Sequence, residues 1–155
     1  ELGNRNKITM KFEKLIYEEQ SISLALINLD NFKSINETHG RNAGDIILRQ
    51  VAQMLQSDIR ETDILGRWNG DEFILLMPNT GPHEAVAVCY KLCRKLATMS
   101  ITTGTTSIQI TGSFGVSFTA TPRSLSEVTS AADDALFCAK RDGRSMVRMQ
   151  LIESE

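Results

Sequence analysis

Residues 23–29 (Ser, Leu, Ala, Leu, Ile, Asn, Leu) constrain the fold more than any other stretch. The run is mostly apolar and long enough for a strand buried on both faces. Such a strand needs a layer of packing above it and another below. Its end is polar, through Asn28, Asp30, Asn31 and Lys33. That is where α/β sheets usually place ligands. Helical stripes surround it. Ile8, Phe12, Leu15 and Ile16 predict a helix over 2–19, and Ile47, Leu48, Val51, Leu55 and Ile59 predict another that begins near Asn42. Between them, Asp30 or Asn31 is expected to cap a short helix through Phe32 and Ile35 that stops at Gly40. Further helices are predicted over 83–97 and 124–141, with strands over 110–116 and 145–151 and a hairpin or connection over 101–107. The order αβααββαβαβ predicts an α/β sheet with an antiparallel pair, covered by helices.

The centre of the chain reads as a hairpin. The extended stretch 63–66 and the apolar run 74–77 flank Arg67, Trp68, Asn69, Gly70, Asp71, Glu72 and Phe73. Asn-Gly tolerates the positive φ of tight hairpin turns, so the turn is expected at Asn69 and Gly70. Asp71 and Glu72 would then open the second strand, on opposite faces.

With 155 residues, 41% hydrophobic and 23% charged, the chain is sized for one domain, 1–155, with a sizeable core. A net charge of −2 argues against nucleic-acid binding by bulk charge, and no apolar run approaches a membrane span or a signal peptide. The first residue is Glu1, not Met, so the sequence is expected to be a fragment. Three cysteines without framework spacing fit a reducing compartment. Cys89 and Cys93 read as buried small side chains, since no His or third Cys stands near them in sequence.

Three clusters can carry chemistry. Asn28, Asp30, Asp71 and Glu72 would bring hard oxygens together if their strand ends pair, a donor set suited to Mg²⁺ with phosphates and water. Lys33, Lys140 and Arg144 are possible phosphate partners, although cations near a helix C-terminus also complement its dipole. Asn36 and Asp45 can hydrogen-bond a base edge, or serve merely as a turn residue and a first-turn acid.

The ordered combination is more specific than any of its parts. Asn28-Leu-Asp-Asn-Phe-Lys33-Ser-Ile-Asn36, Gly40 with Gly44-Asp45, Arg67 with Asn69-Gly-Asp-Glu-Phe73, Thr111 with Ser113 and Gly115, and 132–144 with Lys140 and Arg144 follow one another. Together they resemble the GGDEF family, the diguanylate cyclase domains of bacterial signalling proteins. The resemblance implies a nucleotide-cyclase-like fold with a ferredoxin-like core, a central five-stranded mixed sheet flanked by helices. It implies condensation of two GTP to cyclic di-GMP by a transient antiparallel homodimer. It also implies a cytoplasmic domain joined to an upstream sensory or receiver domain, any membrane anchor lying outside this chain. Asp71 and Glu72 would be catalytic and, with Asn28 and the Leu29 backbone, would hold Mg²⁺ or Mn²⁺. The backbone of Asn31 and Phe32, together with Gly70, Lys33, Lys140 and Arg144, would meet phosphates. Asn36 and Asp45 would read guanine through its N1–H and exocyclic amine, a donor pair adenine lacks. Arg60 and Asp63 match the family's inhibitory RxxD site, with Lys91 a second basic contact to the product.

Two departures matter. Asn69 replaces the first Gly of the signature, and Asn28 replaces the usual metal-binding Asp, removing a negative charge. Glu37, Arg41, Phe137 and Ser145 are milder changes. Two readings follow: an active cyclase or one weakened by Asn28 and Asn69, or a degenerate domain that binds GTP or cyclic di-GMP and regulates a neighbour without turnover.

Overall fold

In the computed structural model, which describes residues 3–152, the central apolar run becomes β1 (Ile22–Leu29), buried along its whole length. Alternate side chains serve two cores, as a strand's period of two requires. Ile22, Leu24 and Leu26 pack with α1 (Arg5–Tyr17) and α5 (Leu125–Arg141) on one face. Ala25, Ile27 and Leu29 pack with α2 (Phe32–His39), α3 (Arg41–Ser57) and α4 (Pro82–Thr98) on the other. The remaining strands are β2 (Ile64–Asn69), β3 (Glu72–Pro78), the short β4 (Ile101–Thr103) and β5 (Thr106–Ile108), β6 (Gly112–Thr119) and β7 (Val147–Leu151).

The main sheet has five strands in the order β2-β3-β1-β6-β7, and β4 pairs with β5 in a separate hairpin. All neighbours in the main sheet are antiparallel except β6 and β7, which run parallel with α5 as the crossover between them. This is the mixed five-stranded sheet expected from the sequence. A capping box starts α5: Ser124 Oγ accepts from the Glu127 amide, and the Glu127 carboxylate accepts from the Ser124 amide. α5 then lies directly on β6 because Gly115 has no side chain. A Cβ there would stand 2.1 Å from the Ala132 carbonyl oxygen.

Several boundaries move from expectation. α1 starts at Arg5, capped by Asn4, and Leu2 falls outside the described residues. Ile110 and Thr111 precede β6 instead of opening it. Cys89 and Cys93 are buried free thiols on the inner face of α4, and burial pushes both above the usual thiol range, Cys93 to about 11.

Candidate functional site

The hairpin delivers the signature residues to the end of β1. Register sets Asn28 opposite Glu72 on one neighbour and opposite Ser113 on the other. Directly opposed residues share a face, so Asn28 and Glu72 stand together on the α1–α5 side. The Leu29 amide donates to the Asp71 carbonyl at 3.1 Å, tying the turn to the strand end.

The turn differs from expectation. Asn69 pairs with Glu72, so the loop residues are Gly70 and Asp71, and neither Asn69 nor Gly70 adopts left-handed backbone. A register shift between Arg67 and Asn69 bends the strand instead, as a bulge does. Asp71 therefore stands in the turn, and only Glu72 belongs to β3. The Arg67 guanidinium closes the loop by donating from Nη2 to the Gly70 carbonyl.

Glu72 is only 9% exposed and Asn28 8%. Burial pushes the Glu72 carboxyl above the usual carboxylate range; Asp133 and Asp71 add to this, while Lys140 and a hydrogen bond from Asn69 oppose it. Lys140, in the last turn of α5, is therefore electrostatically part of the Glu72 site. Arg144 follows on a loop in which Gly143, Arg144 and Ser145 all have positive φ.

Asp30 holds that loop. Its carboxylate accepts from Thr111 Oγ1 at 2.6 Å, Ser113 Oγ at 2.7 Å and the Ser145 amide at 3.0 Å. These bonds latch β6 and the Arg144 loop to β1, a structural role that its grouping with the metal-binding oxygens did not include. They also leave the helix cap unmade. The residue at the N-cap of α2 is Asn31, left-handed at φ 56° and without a side-chain capping bond. Phe32 is buried and anchors α2, while Lys33 is exposed in its first turn.

The expected base-reading pair sits where α2 meets α3. Asn36 Oδ1 is buried without a hydrogen-bond partner, and Gly44 makes room for it, since a Cβ there would lie 1.8 Å away. Asp45 is exposed at the edge of a cavity of about 650 Å³, also lined by Arg49 and Arg67.

Arg60 and Asp63 do come together. Asp63 accepts from the Arg60 amide at 3.0 Å and from Nη2 at 3.2 Å, and Nη1 lies 3.6 Å from Glu84. Arg60 also donates to Thr80 Oγ1. Lys91 lies on α4 near Asp58, whose carboxyl is held below the usual range by its hydrogen bond to Lys95. Sequence reasoning missed Asp133 and the contacts of Arg67 and Arg5. Arg5 donates to the Trp68 carbonyl at 2.9 Å and to Asn69 Oδ1 at 2.7 Å. Partners 63 and 64 residues apart leave no local pattern to find them by.

Among the described residues no three His, Cys, Asp or Glu gather as a metal cluster. The oxygen donors near the hairpin are the Asp71 and Glu72 carboxylates and the Asn28 amide, with Glu72 largely buried. Such a set suits a hard cation that takes its remaining ligands from a bound phosphate.

A family model described as "Diguanylate cyclase, GGDEF domain" matches residues 1–146. The chain belongs to the GGDEF family. This GGDEF domain is 38% identical over 128 residues to diguanylate cyclase DgcM of Escherichia coli (strain K12), covering 83% of the chain and 30% of that protein. It is 35% identical over 133 residues to diguanylate cyclase A of Treponema denticola, covering 85% of the chain and 36% of that protein. The GGDEF domain thus spans about a third of the length of these curated relatives. The crystal structure of diguanylate cyclase SiaD in complex with its activator SiaC from Pseudomonas aeruginosa superposes with a TM-score of 0.92 at 33% identity. That alignment covers 96% of this chain and 58% of the other. The cyclase-like α/β fold expected from the sequence is therefore the fold observed. No helix among the described residues is long and apolar enough to cross a membrane.

Proposed function

We propose that this GGDEF domain is a diguanylate cyclase, joining two GTP into cyclic di-GMP, with its metal site weakened by Asn28. The observation that carries the reading is the Asn28–Glu72 register, which sets the signature acids at the end of β1 beside Lys140. Two domains face each other, each presenting one GTP. The 3′-oxygen of one GTP attacks the α-phosphorus of the other. A new P–O bond forms as the bond to the leaving oxygen breaks, and pyrophosphate departs with that electron pair. Glu72 takes the proton of the attacking hydroxyl, a role its raised pKa suits because a more basic carboxylate is the better acceptor. The same step repeated in the other direction closes the ring.

Mg²⁺ or Mn²⁺, when bound, neutralises charge on the phosphates. Asp71, Glu72, Asn28 Oδ1 and the Leu29 carbonyl would hold it. Lys33, Lys140, Arg144 and the backbone at Asn31, Phe32 and Gly70 bind phosphate oxygens, while Asn36, whose buried oxygen awaits a partner, and Asp45 bind guanine. Asn28 also favours a second reading: with one carboxylate fewer, the domain binds nucleotide and regulates a neighbouring domain without turnover.

The domain, held as a dimer by an N-terminal coiled coil and incubated with GTP and Mg²⁺ or Mn²⁺, should release cyclic di-GMP and pyrophosphate. GTP binding without product would reject the cyclase and leave the regulatory reading. Product control would act through Arg60, Asp63 and Lys91. Arg60→Ala is expected to abolish cyclic di-GMP binding by calorimetry, and unchanged binding would place the product elsewhere.

A further inference from the structure

Asn69, which breaks the family signature at the end of β2, carries side-chain hydrogen bonds to two other elements. Asn69 Oδ1 accepts from Arg5 Nη2 at 2.7 Å, and Asn69 Nδ2 donates to Glu72 Oε1 at 3.4 Å. Arg5 is fixed in turn. Its Nε donates to the Trp68 carbonyl at 2.9 Å, and its guanidinium lies 4.0 Å from the Trp68 ring centroid. A carboxamide suits this place because it offers an acceptor to the cation and a donor to the carboxylate at once. Glycine offers neither, and Asp would set a second negative charge against Glu72.

We propose that Arg5 and Asn69 are positioning residues, a side-chain bridge from the first turn of α1 that holds the Glu72 carboxylate in its working orientation. The inference rests on the cyclase reading for its catalytic consequence, but not for the bridge itself. Asn69 is then not a lesion in the signature. It supplies a fixed link from α1 where a glycine would supply none, and a shift of the first turn of α1 would release Glu72. Glu72 is otherwise faced by Asp133 and Lys140 from α5, by Asp71 from the turn and by Asn28 across the strand pair, and Asn69 is the carboxamide that hydrogen-bonds it.

The test compares Asn69→Gly, Arg5→Ala and the double variant with the unaltered domain. Two readouts are taken: kcat and KM for GTP on the dimerised domain, and backbone amide exchange across residues 68–72 in metal-free, nucleotide-free protein. Each single variant should lower kcat about two- to tenfold, the range one net hydrogen bond carries, with KM for GTP little changed. The double variant should lose no more than the larger single loss. Amide exchange in the turn should rise in both single variants alike. An Asn69→Gly domain as fast as or faster than the original, additive losses, or unchanged exchange would overturn the proposal. If the unaltered domain shows no turnover, the cyclase reading fails, and amide exchange alone decides the bridge.

Discussion

Glu72 is where the physical chemistry of this domain concentrates. It is buried, faces Asp133 and Asp71, and its carboxyl titrates above the usual carboxylate range. A carboxyl whose folded pKa exceeds its unfolded value stabilises the fold below the unfolded value. That stability is lost as pH rises through the folded value. The ionised Glu72 therefore destabilises the metal-free fold near neutrality. Glu72→Gln, which stays uncharged, should raise the melting temperature at about pH 7 and much less at about pH 4, where the unfolded carboxyl is largely protonated too. Thermal unfolding of both proteins at the two pH values checks this, and an equal shift at both would count against burial of the charge.

At the scale of elements, the decisive contact is α5 against β6, because α5 carries Lys140 and leads to Arg144. Gly115 permits it, with the Ala132 carbonyl 2.1 Å and the Leu136 amide 2.4 Å from where a Cβ would stand. Gly115→Ala must therefore push backbone away from backbone. It should cost about 1–3 kcal/mol of stability in urea unfolding, the usual scale of overpacking, and weaken GTP binding with it. A variant as stable as the original would mean that α5 can shift without penalty. The elements themselves were legible because their cause is local. The double-sided apolar run gave β1, the stripes gave the helices, and Gly40 marked a helix end. The role of Asp30 was not legible. Its three donors lie 81, 83 and 115 residues away and meet it only once β6 and the Arg144 loop are placed. The hairpin turn misled for a related reason. Asn-Gly signals a left-handed turn locally, but Arg67 and a bulge make a different one.

Over the whole molecule, groups from residue 28 to residue 144 converge at one end of the sheet, and β1 divides the two cores behind them. On the proposed function each site holds one GTP, so the condensation needs two domains. In dilute solution without a dimeriser, product formation per chain should rise with domain concentration, because the working species is a pair. Rates proportional to chain at every concentration would remove the antiparallel pair from the account. The most direct measurement of the central claim is the cyclic di-GMP formation rate of the dimerised domain beside its Asn28→Asp variant, across a Mg²⁺ titration. Asn28→Asp restores a carboxylate opposite Glu72. Slow turnover is expected in the original and a lower Mg²⁺ requirement in the variant. The rate gain should be on the order of tenfold, the scale of one charge-assisted contact. No product from either protein, with GTP still bound, would contradict the central claim.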